Sequence, residues 1–478
     1  MQERIGSTAN VANDAMRVPP LSDAFVEALR TGLRGQVLTP PDDGYEEVRP
    51  VYNAMIQRRP GAIALVADAA DVMACVDAAR EHGVPVAVRG GGHNAAGLGS
   101  VDGGLVIDLG RLKGIRVDPR ARTVRVEGGC VWGDVDHATH PFGLAVPCGF
   151  IAGTGVGGLT LGGGSGYLTR SAGLTIDNLL SADVVLADGR LVTASADDHP
   201  DLFWALKGGG GNFGIVTSFL FRAHPVKNVI GGPTMWAVDK AEDVLRGFQE
   251  LIDGAPEELG GFFAFTAVPP VPPFPEELHG RTVAAVVWCY NGTQEGFDDL
   301  VGPFVEEVEP LLHGPHELPF PALQSFFDPL YPAGLQWYWR ADFMPRLGDE
   351  AIREHTRHGA NLVTPFSTMH LYPLNGAAQR VASDATAYRH RDARWSQVIV
   401  GVDPDPANAE RLRDWTVAYY DALHPYSTGA AYVNFMMEEG QDRIRATYGD
   451  NYDRLAQIKR RYDPDNLFRV NQNIPPAA

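Results

Sequence analysis

The sequence predicts an α+β protein of two main parts, because two different patterns of strands and helices follow one another along the chain. Between residues 61 and 88, short β-rich runs flank a helical stretch at 69–82 whose apolar residues share one face. After residue 225 the glycine density drops, and amphipathic helices alternate with strands such as TVAAVVWCY and SQVIVGV. The two patterns predict one glycine-rich part and one part with a sheet and helices.

The individual strands and helices are short and are separated by turn residues. LVIDL and TVRVE are typical of strands, and the segment 132–140 is compatible with a helix. In VVLADGRLVTA, the Asp188-Gly189 pair between two β-rich runs predicts a hairpin. The last predicted helix ends near Asp463-Pro464. We therefore expect a polar N-terminal lead-in (1–44), a first domain (45–225), a second domain (226–429) and a C-terminal segment that returns to the first domain (430–478).

Composition excludes several classes of function. The formal net charge of −19 argues against binding to nucleic acid or to an anionic membrane surface, since both require a basic patch. No apolar run is long enough for a transmembrane helix, and the N-terminus lacks the apolar core of a signal peptide. The four cysteines form no disulfide or zinc pattern, which predicts a reducing, cytoplasmic location.

The 54 glycines are concentrated between residues 90 and 214. Two stretches match G-x-G-x-x-G, beginning at Gly153 and Gly209, but neither is expected to open a helix, so a nicotinamide-binding Rossmann unit is not predicted. No G-K-[ST] follows to make a P-loop. Glycine loops can instead present successive backbone N–H groups to a pyrophosphate. The alternative is that these loops are only tight turns of a β-rich domain.

Three segments in this region resemble a known family: VRGGGHNAAGLGSVDGGLVIDL, GTGVGGLTLGGGSGYLTRSAGLTIDNLLSADVVLADG and DLFWALKGGGGNFGIVTSF. They are similar to the FAD-binding domain of berberine-bridge-enzyme-like oxidases, within the vanillyl-alcohol-oxidase or PCMH-type flavoprotein superfamily. The ending YGDNYDRLAQIKRRYDPDNLFRVNQNIPP resembles that of the same family. The resemblance implies a PCMH-type FAD-binding domain of two α/β subdomains, and a substrate domain with an antiparallel sheet flanked by helices.

The resemblance also implies how the cofactor is attached. In relatives, the histidine of the G-G-H motif is bonded to the flavin, and here that residue is His93. Many relatives add a second bond from a cysteine at the position that Ile151 takes in this chain. We therefore expect FAD with one covalent bond through His93. Cys148 and Cys130 are the alternatives for a displaced second bond.

Further cofactor contacts follow from the same resemblance. Two C-terminal asparagines are expected to reach the flavin ring, and the glycine loops to surround the pyrophosphate, ribityl chain and adenosine. The predicted cofactor-binding residues are Arg89, Gly90, Gly91, Gly92, His93, Asn94, Gly97, Gly153, Thr154, Gly157, Gly158, Leu161, Gly162, Gly163, Gly164, Gly166, Tyr167, Gly173, Asn178, Val184, Gly214, Ile215, Val216, Asn471 and Asn473.

Oxidation of a C–H bond by flavin requires hydride transfer to N5 and a group that takes the proton. Several relatives use a tyrosine of a Tyr-x-Asn-Tyr element, which here reads Tyr432-Val433-Asn434-Phe435. Tyr432 is therefore the first candidate base, and Tyr372 with His370 the second. Gln397 takes the place of a glutamate found in some alkaloid-oxidising relatives, and an amide cannot act as a base near neutral pH. Arg340 is expected to line the pocket or to pair with a carboxylate.

The sequence as a whole predicts an FAD-dependent oxidase that acts on an alcohol or amine carbon of a mid-sized organic molecule, such as a glycoside, polyketide or alkaloid-like compound. Molecular oxygen is the expected acceptor, giving hydrogen peroxide. A dehydrogenase with another acceptor and a non-catalytic flavin- or drug-binding protein are the alternatives. No metal site is predicted, because the H-x-x-H spacing of His137 and His140 has no accompanying glutamate.

Overall fold

The first sheet has four strands, and its centre is parallel. The computed structural model describes residues 20–478. In spatial order the strands are Gln36–Leu38, Ala62–Leu65, Leu105–Asp108 and Val86–Arg89. The helix Ala69–His82 connects two of the parallel strands, with Asp68 as its N-cap and Gly83 in a left-handed conformation (φ 64°) at its end. It buries Val72, Val76 and Ala79, the face that the sequence pattern predicts, together with Cys75.

Part of the predicted N-terminal lead-in belongs to this sheet. Helix Asp23–Gly32 buries Phe25 and Leu29, and strand Gln36–Leu38 pairs antiparallel with Ala62–Leu65. These residues therefore pack with the first domain, since Phe25 of this short helix contacts His82 of helix Ala69–His82. Residues 1–19 lie outside the described residues.

The second sheet is antiparallel and carries the predicted hairpin. Gly189 has a φ of 83° in the turn, and Val185 pairs with Leu191 across it. In spatial order the strands are Ile115–Asp118, Thr123–Glu127, Ile215–Arg222, Leu179–Val185 and Leu191–Ser195. The helices of this region are Trp132–Thr139, Val156–Gly162, Thr169–Ala172 and Pro200–Leu206.

The third and largest sheet is antiparallel and has helices on one face. Phe263, Met369 and Ile399 point to those helices, while Phe262, His370 and Val398 alternate to the other face. Its strands are Leu312–His313, His316–Pro319, Asn228–Ala237, Thr282–Tyr290, Leu259–Ala267, Thr368–Pro373, Trp395–Asp403 and Gln336–Met344. The helices are Ala241–Gly254, Gln294–Glu307, Asp349–Gly359 and Ala409–Leu423. This arrangement confirms the predicted α+β class.

The C-terminal segment returns to the first domain through a buried ion pair. Lys459, in helix Tyr452–Tyr462, donates from Nζ to Asp463 Oδ2 at 2.6 Å, and neither side chain is exposed. The same ammonium donates to the carbonyls of Asn212 (2.7 Å) and Phe468 (2.9 Å). One buried cation therefore joins the C-terminal tail to the loop around Asn212.

Within residues 20–478, no helix is both long and apolar enough to cross a membrane.

Replacement of Lys459 by methionine should lower the free energy of unfolding by about 3–5 kcal/mol, since it leaves the Asp463 carboxylate buried without its partner. Denaturant titration measures the loss. Arg460→Met is the control, because Arg460 is the exposed neighbour on the same helix. Equal effects of the two substitutions would contradict a stabilising role for the buried pair.

Candidate active site

A cavity of about 360 Å³ connects the glycine loops of the first domain with the face of the third sheet that carries no helices. Three loops form one side, at 89–94, 149–158 and 210–216. Residues of the third sheet form the other side, and the C-terminal residues 470–472 contribute to the wall. The cavity therefore joins all parts of the chain in which the sequence predicted site residues.

Two of the glycine loops touch backbone to backbone. A Cβ added at Gly91 would lie 2.5 Å from the Gly155 nitrogen, and one added at Gly155 would lie 2.4 Å from the Gly91 nitrogen. The Gly153 stretch then opens the helix Val156–Gly162, with Gly155 as its N-cap. The expectation that no helix begins there is wrong, since tertiary packing holds this glycine-rich turn in a helix. The segment before it forms only an isolated bridge, Val131 with Gly155, instead of a Rossmann strand.

More than half of the predicted cofactor-binding residues line this cavity. They lie on all three loops and on the C-terminal segment. They are Arg89, Gly90, Gly91, Gly92, His93, Asn94, Thr154, Gly157, Gly158, Leu161, Gly214, Ile215, Val216 and Asn471.

The other predicted cofactor-binding residues do not line this cavity, and their contact with the cofactor stays a prediction. They are Gly97, Gly153, Gly162, Gly163, Gly164, Gly166, Tyr167, Gly173, Asn178, Val184 and Asn473. Their glycines instead allow close packing: a Cβ at Gly162 would meet the Asn434 amide, and one at Gly166 would meet the Cys148 carbonyl. Asn178 donates from Nδ2 to the carbonyls of Ala172 and Leu174, so it supports the loop.

His93 faces the cavity and stacks on Tyr52, with ring centroids 3.8 Å apart. Among the residues that the structure describes, none makes a hydrogen bond to its imidazole. Burial lowers the pKa of His93 to about 4, so the ring is neutral near pH 7. A neutral imidazole with a free nitrogen is the form that can act as a nucleophile.

Cys148 does not reach the cavity, whereas Ile151 lines it. The Cys148 sulfur contacts Nε2 of Gln324 at 2.7 Å in the protein interior, and burial raises the pKa of this thiol well above its usual value. Cys130 is also buried, with a raised pKa, and lies outside the wall. All four cysteines are free.

Tyr372 and His370 form a hydrogen-bonded chain at the cavity wall. Thr368 Oγ1 donates to the Phe265 carbonyl at 2.7 Å, so it accepts from Nε2 of His370 at 2.9 Å. Nδ1 of His370 is then free to accept the Tyr372 hydroxyl proton, at 2.5 Å. Burial lowers the pKa of His370 to about 3, which agrees with a ring that holds one proton. The contacts thus assign a direction to each proton in the chain.

Tyr432, the first candidate base, has a different environment. Its oxygen accepts hydrogen bonds from the Gly164 N–H at 2.7 Å and from Nδ2 of Asn434 at 2.8 Å. Burial is the largest influence on this phenol and raises its pKa to about 12. Tyr432 therefore keeps its proton near pH 7, and its partners in the described protein are donors.

Two other predicted site residues face away from the cavity. Gln397 is fully buried on the opposite face of strand Trp395–Asp403, whereas Val398 and Val400 line the wall. Gln397, which takes the place of the glutamate of some alkaloid-oxidising relatives, therefore does not reach the cavity. Arg340 alternates with Trp337 and Trp339 along its strand and pairs with Glu439 at 3.2 Å, which was one of its two expected roles.

Sequence reasoning missed most of the aromatic wall. It did not single out Phe150, Phe262, Phe327, Tyr331, Trp337, Trp339 and Tyr52, all of which line the cavity. Only the two tryptophans carried a signal: in QWYWRADFM they are two residues apart, so they share one face of a strand. The others come together from separate elements.

Comparison with known proteins agrees with this geometry. The family model described as FAD binding domain matches residues 60–195, and the one described as berberine and berberine like matches residues 431–475. The chain is 33% identical to YgaK, an uncharacterised FAD-linked oxidoreductase of Bacillus subtilis, over 94% of this chain and 98% of that protein. This chain belongs to the berberine-bridge-enzyme-like FAD-linked oxidoreductases.

Two further relatives of this oxidoreductase family show the range of similarity. The xylooligosaccharide oxidase of Thermothelomyces thermophilus is 31% identical over 89% of both chains. The structure of the BBE-like 1 protein of Physcomitrella patens has a TM-score of 0.85 and 25% identity, and covers 95% of this chain and 99% of its own. The chain is accordingly an FAD-dependent oxidoreductase.

The residues of this oxidoreductase fit an FAD in the cavity. Ser165 Oγ, Tyr448 Oη and Asn471 Oδ1 are buried and have no hydrogen-bond partner within residues 20–478, although all three residues line the wall. A ligand with polar groups would satisfy them. A Cβ at Gly158 or Gly211 would meet no atom within 4 Å, so the backbone there adjoins open space.

Among the described residues, no cluster of three or more His, Cys, Asp or Glu side chains is suited to a metal.

Two alanine substitutions should separate loop packing from cofactor binding. Gly155→Ala introduces a Cβ against Gly91 and should destabilise the fold by about 1–3 kcal/mol. Gly158→Ala has space in the protein alone, so it should keep the stability and lower the flavin content of the purified protein. Thermal unfolding and the ratio of flavin to protein absorbance check the two effects. Full flavin content in Gly158→Ala would contradict a close approach of the cofactor to this helix.

Proposed function

We propose that this oxidoreductase binds FAD in the cavity and oxidises an alcohol or amine carbon of a mid-sized organic substrate. Glycosides, polyketides and alkaloid-like compounds are the candidate classes, and molecular oxygen is the acceptor, reduced to hydrogen peroxide. The observation that carries the proposal is that one cavity places His93 and the glycine loops opposite the Tyr372–His370 chain. When bound, FAD supplies the hydride acceptor.

The cytoplasmic location of the protein stays a prediction.

The first part of the proposal is a covalent bond from His93. The imidazole faces the cavity, is neutral near pH 7, and has no competing hydrogen bond in the described protein. Tyr52 stacks on the ring and holds its plane. Because Cys148 and Cys130 lie behind the wall, a single bond is proposed.

The second part concerns the group that takes the substrate proton. Both tyrosines are protonated near pH 7, so either oxygen can accept a proton only as its own proton leaves. For Tyr372 an acceptor is present, the Nδ1 of His370 at 2.5 Å. The protein partners of Tyr432 are donors and offer no such route. The contacts therefore favour Tyr372 over Tyr432, reversing the order that the sequence suggested.

His370 holds the proton only transiently, because burial lowers its pKa to about 3 and disfavours the charged ring. A neutral imidazole is the form that accepts a proton, and His370 is neutral at every pH well above 3. The carbonyl or iminium product is formed as hydride departs, and the group losing the proton becomes strongly acidic at that moment. The dyad then holds the proton only briefly and releases it for the reduction of oxygen to hydrogen peroxide. Thr368 fixes the ring in the tautomer that this requires.

His93→Ala should release the flavin when the protein is precipitated with trichloroacetic acid, whereas the parent protein should keep its yellow colour in the pellet. Cys148→Ala is the matched control and should also keep the colour in the pellet. Colour retained in the His93→Ala pellet would move the bond to another residue. Colour released from the parent protein would exclude a covalent bond but leave FAD binding intact.

Tyr372→Phe should slow substrate-dependent flavin reduction by about 100-fold, the size expected for loss of a general base. Stopped-flow absorbance measures the rate, and Tyr388→Phe serves as a control because this buried tyrosine does not line the cavity. A larger effect of Tyr432→Phe would restore Tyr432 as the base.

The pH dependence of the same rate provides an independent check. The Tyr372–His370 pair predicts a flat rate from about pH 6 to about pH 9, because His370 stays neutral. A Tyr432 phenolate with a pKa of about 12 would instead make the rate rise about tenfold per pH unit over this range.

Detection of hydrogen peroxide in air separates the oxidase from a dehydrogenase that requires another acceptor.

A further inference from the structure

The substrate side of the cavity is mainly aromatic, and the described residues that line it carry no ionised side chain. Among residues 20–478, the wall has no Asp, Glu or Lys, and its one arginine, Arg89, lies on the glycine-loop side and pairs through Nε with Asp108 at 2.6 Å. His93 and His370 are neutral. A charged ligand that loses its water would find no opposite charge here, which is unfavourable. The wall thus selects against ammonium and carboxylate substrates.

Two donors in this wall have no partner. Nε1 of Trp337 and Nε1 of Trp339 are buried and unpaired within the described part of the chain, and both residues line the cavity. Their rings stand at 86° to each other, with centroids 5.9 Å apart. A buried N–H without an acceptor is destabilising, so a ligand that supplies acceptor oxygens would be favoured. The same N–H groups disfavour a cation, although aromatic faces alone could attract one.

The remaining wall consists of ring surfaces. Phe150 is stacked on Tyr372 at 4.2 Å, and Phe435 meets Trp339 edge-on at 6.1 Å. Phe262 and Phe327 extend this apolar surface, with centroids 5.9 Å apart. A sugar would bring many hydroxyl donors, and the aromatic wall offers few acceptors for them. Flat aromatic rings would instead bury their faces against these side chains.

We propose that the substrate is a neutral, planar aromatic carbinol with additional carbonyl or ether oxygens, and that Trp337 and Trp339 determine specificity by donating to those oxygens. This inference rests on the proposed oxidase function and narrows its substrate class. In the reaction, the carbinol C–H leaves as hydride to FAD and the O–H proton leaves to Tyr372, so that the C–O bond becomes C=O. Molecular oxygen takes the two electrons and two protons and becomes hydrogen peroxide.

Four compounds test the class: 4-hydroxy-1-tetralone, which has a carbinol and an acceptor carbonyl; 1-tetralol, which lacks the carbonyl; 1-aminotetralin, which is cationic; and xylobiose. The expected kcat/KM is highest for 4-hydroxy-1-tetralone, about 5- to 10-fold above 1-tetralol, as a hydrogen bond to the carbonyl would give. A higher kcat/KM for xylobiose or 1-aminotetralin would overturn the inference and leave the proposed oxidase intact.

Two variants assign the preference to the indole N–H groups. Trp337→Phe and, as a second and less buried site, Trp339→Phe should each lower kcat/KM for 4-hydroxy-1-tetralone by about 5-fold and leave 1-tetralol within about 2-fold. Trp415→Phe is the control, since its Nε1 donates to the Asn361 carbonyl away from the cavity. Equal losses for both compounds in both variants would overturn the role of the N–H groups.

A binding measurement separates failure of the inference from failure of the oxidase proposal. Each compound is titrated anaerobically into the holoenzyme while the flavin spectrum is recorded. Binding of 4-hydroxy-1-tetralone that weakens in Trp337→Phe, without bleaching by any compound, would support the ligand class and overturn the oxidase. Absence of both binding and bleaching by 4-hydroxy-1-tetralone would overturn the inference.

Discussion

The contact between Gly91 and Gly155 is the constraint on which the site depends. At this point two loops from different sheets approach until any side chain larger than hydrogen would collide with backbone. The approach holds the loop that carries His93 against the start of helix Val156–Gly162. Gly155 has ordinary dihedral angles (φ −65°, ψ 135°), so the requirement for glycine there is spatial rather than conformational. This contact sets the position of the two loops that line the glycine-rich side of the cavity.

Burial then sets the electrostatics of the cavity. His93 and His370 lose their charged forms because their rings are removed from water, with pKa values of about 4 and 3. The tyrosines Tyr372 and Tyr432 retain their protons for the same reason. A cavity with neutral histidines and protonated phenols can move a proton between neighbours without holding a lasting charge. This suits the oxidation of a neutral substrate.

The third sheet and the C-terminal segment complete the wall from opposite directions. Alternation along Thr368–Pro373 directs His370 and Tyr372 to the cavity and Met369 and Leu371 to the helices. The buried Lys459 ammonium joins the C-terminal tail to the loop at Asn212, next to where Asn471 and Gln472 line the cavity. Support for the site therefore comes from a regular strand on one side and from a polar anchor on the other.

The sequence by itself determined the family, the fold class, most strands and helices and the loops that line the cavity, because these depend on local patterns and on a glycine-rich motif. It also singled out His93, Tyr372 and His370 as candidates, and the structure places all three at the cavity wall. Only the tertiary structure decided that Gln397 faces away, that the Gly164 N–H donates to Tyr432, and that Trp337 and Trp339 share a wall with Phe150. The physical reason is that the facing of a strand and the partner of a buried donor depend on register and on contacts between distant segments. No local pattern contains that information.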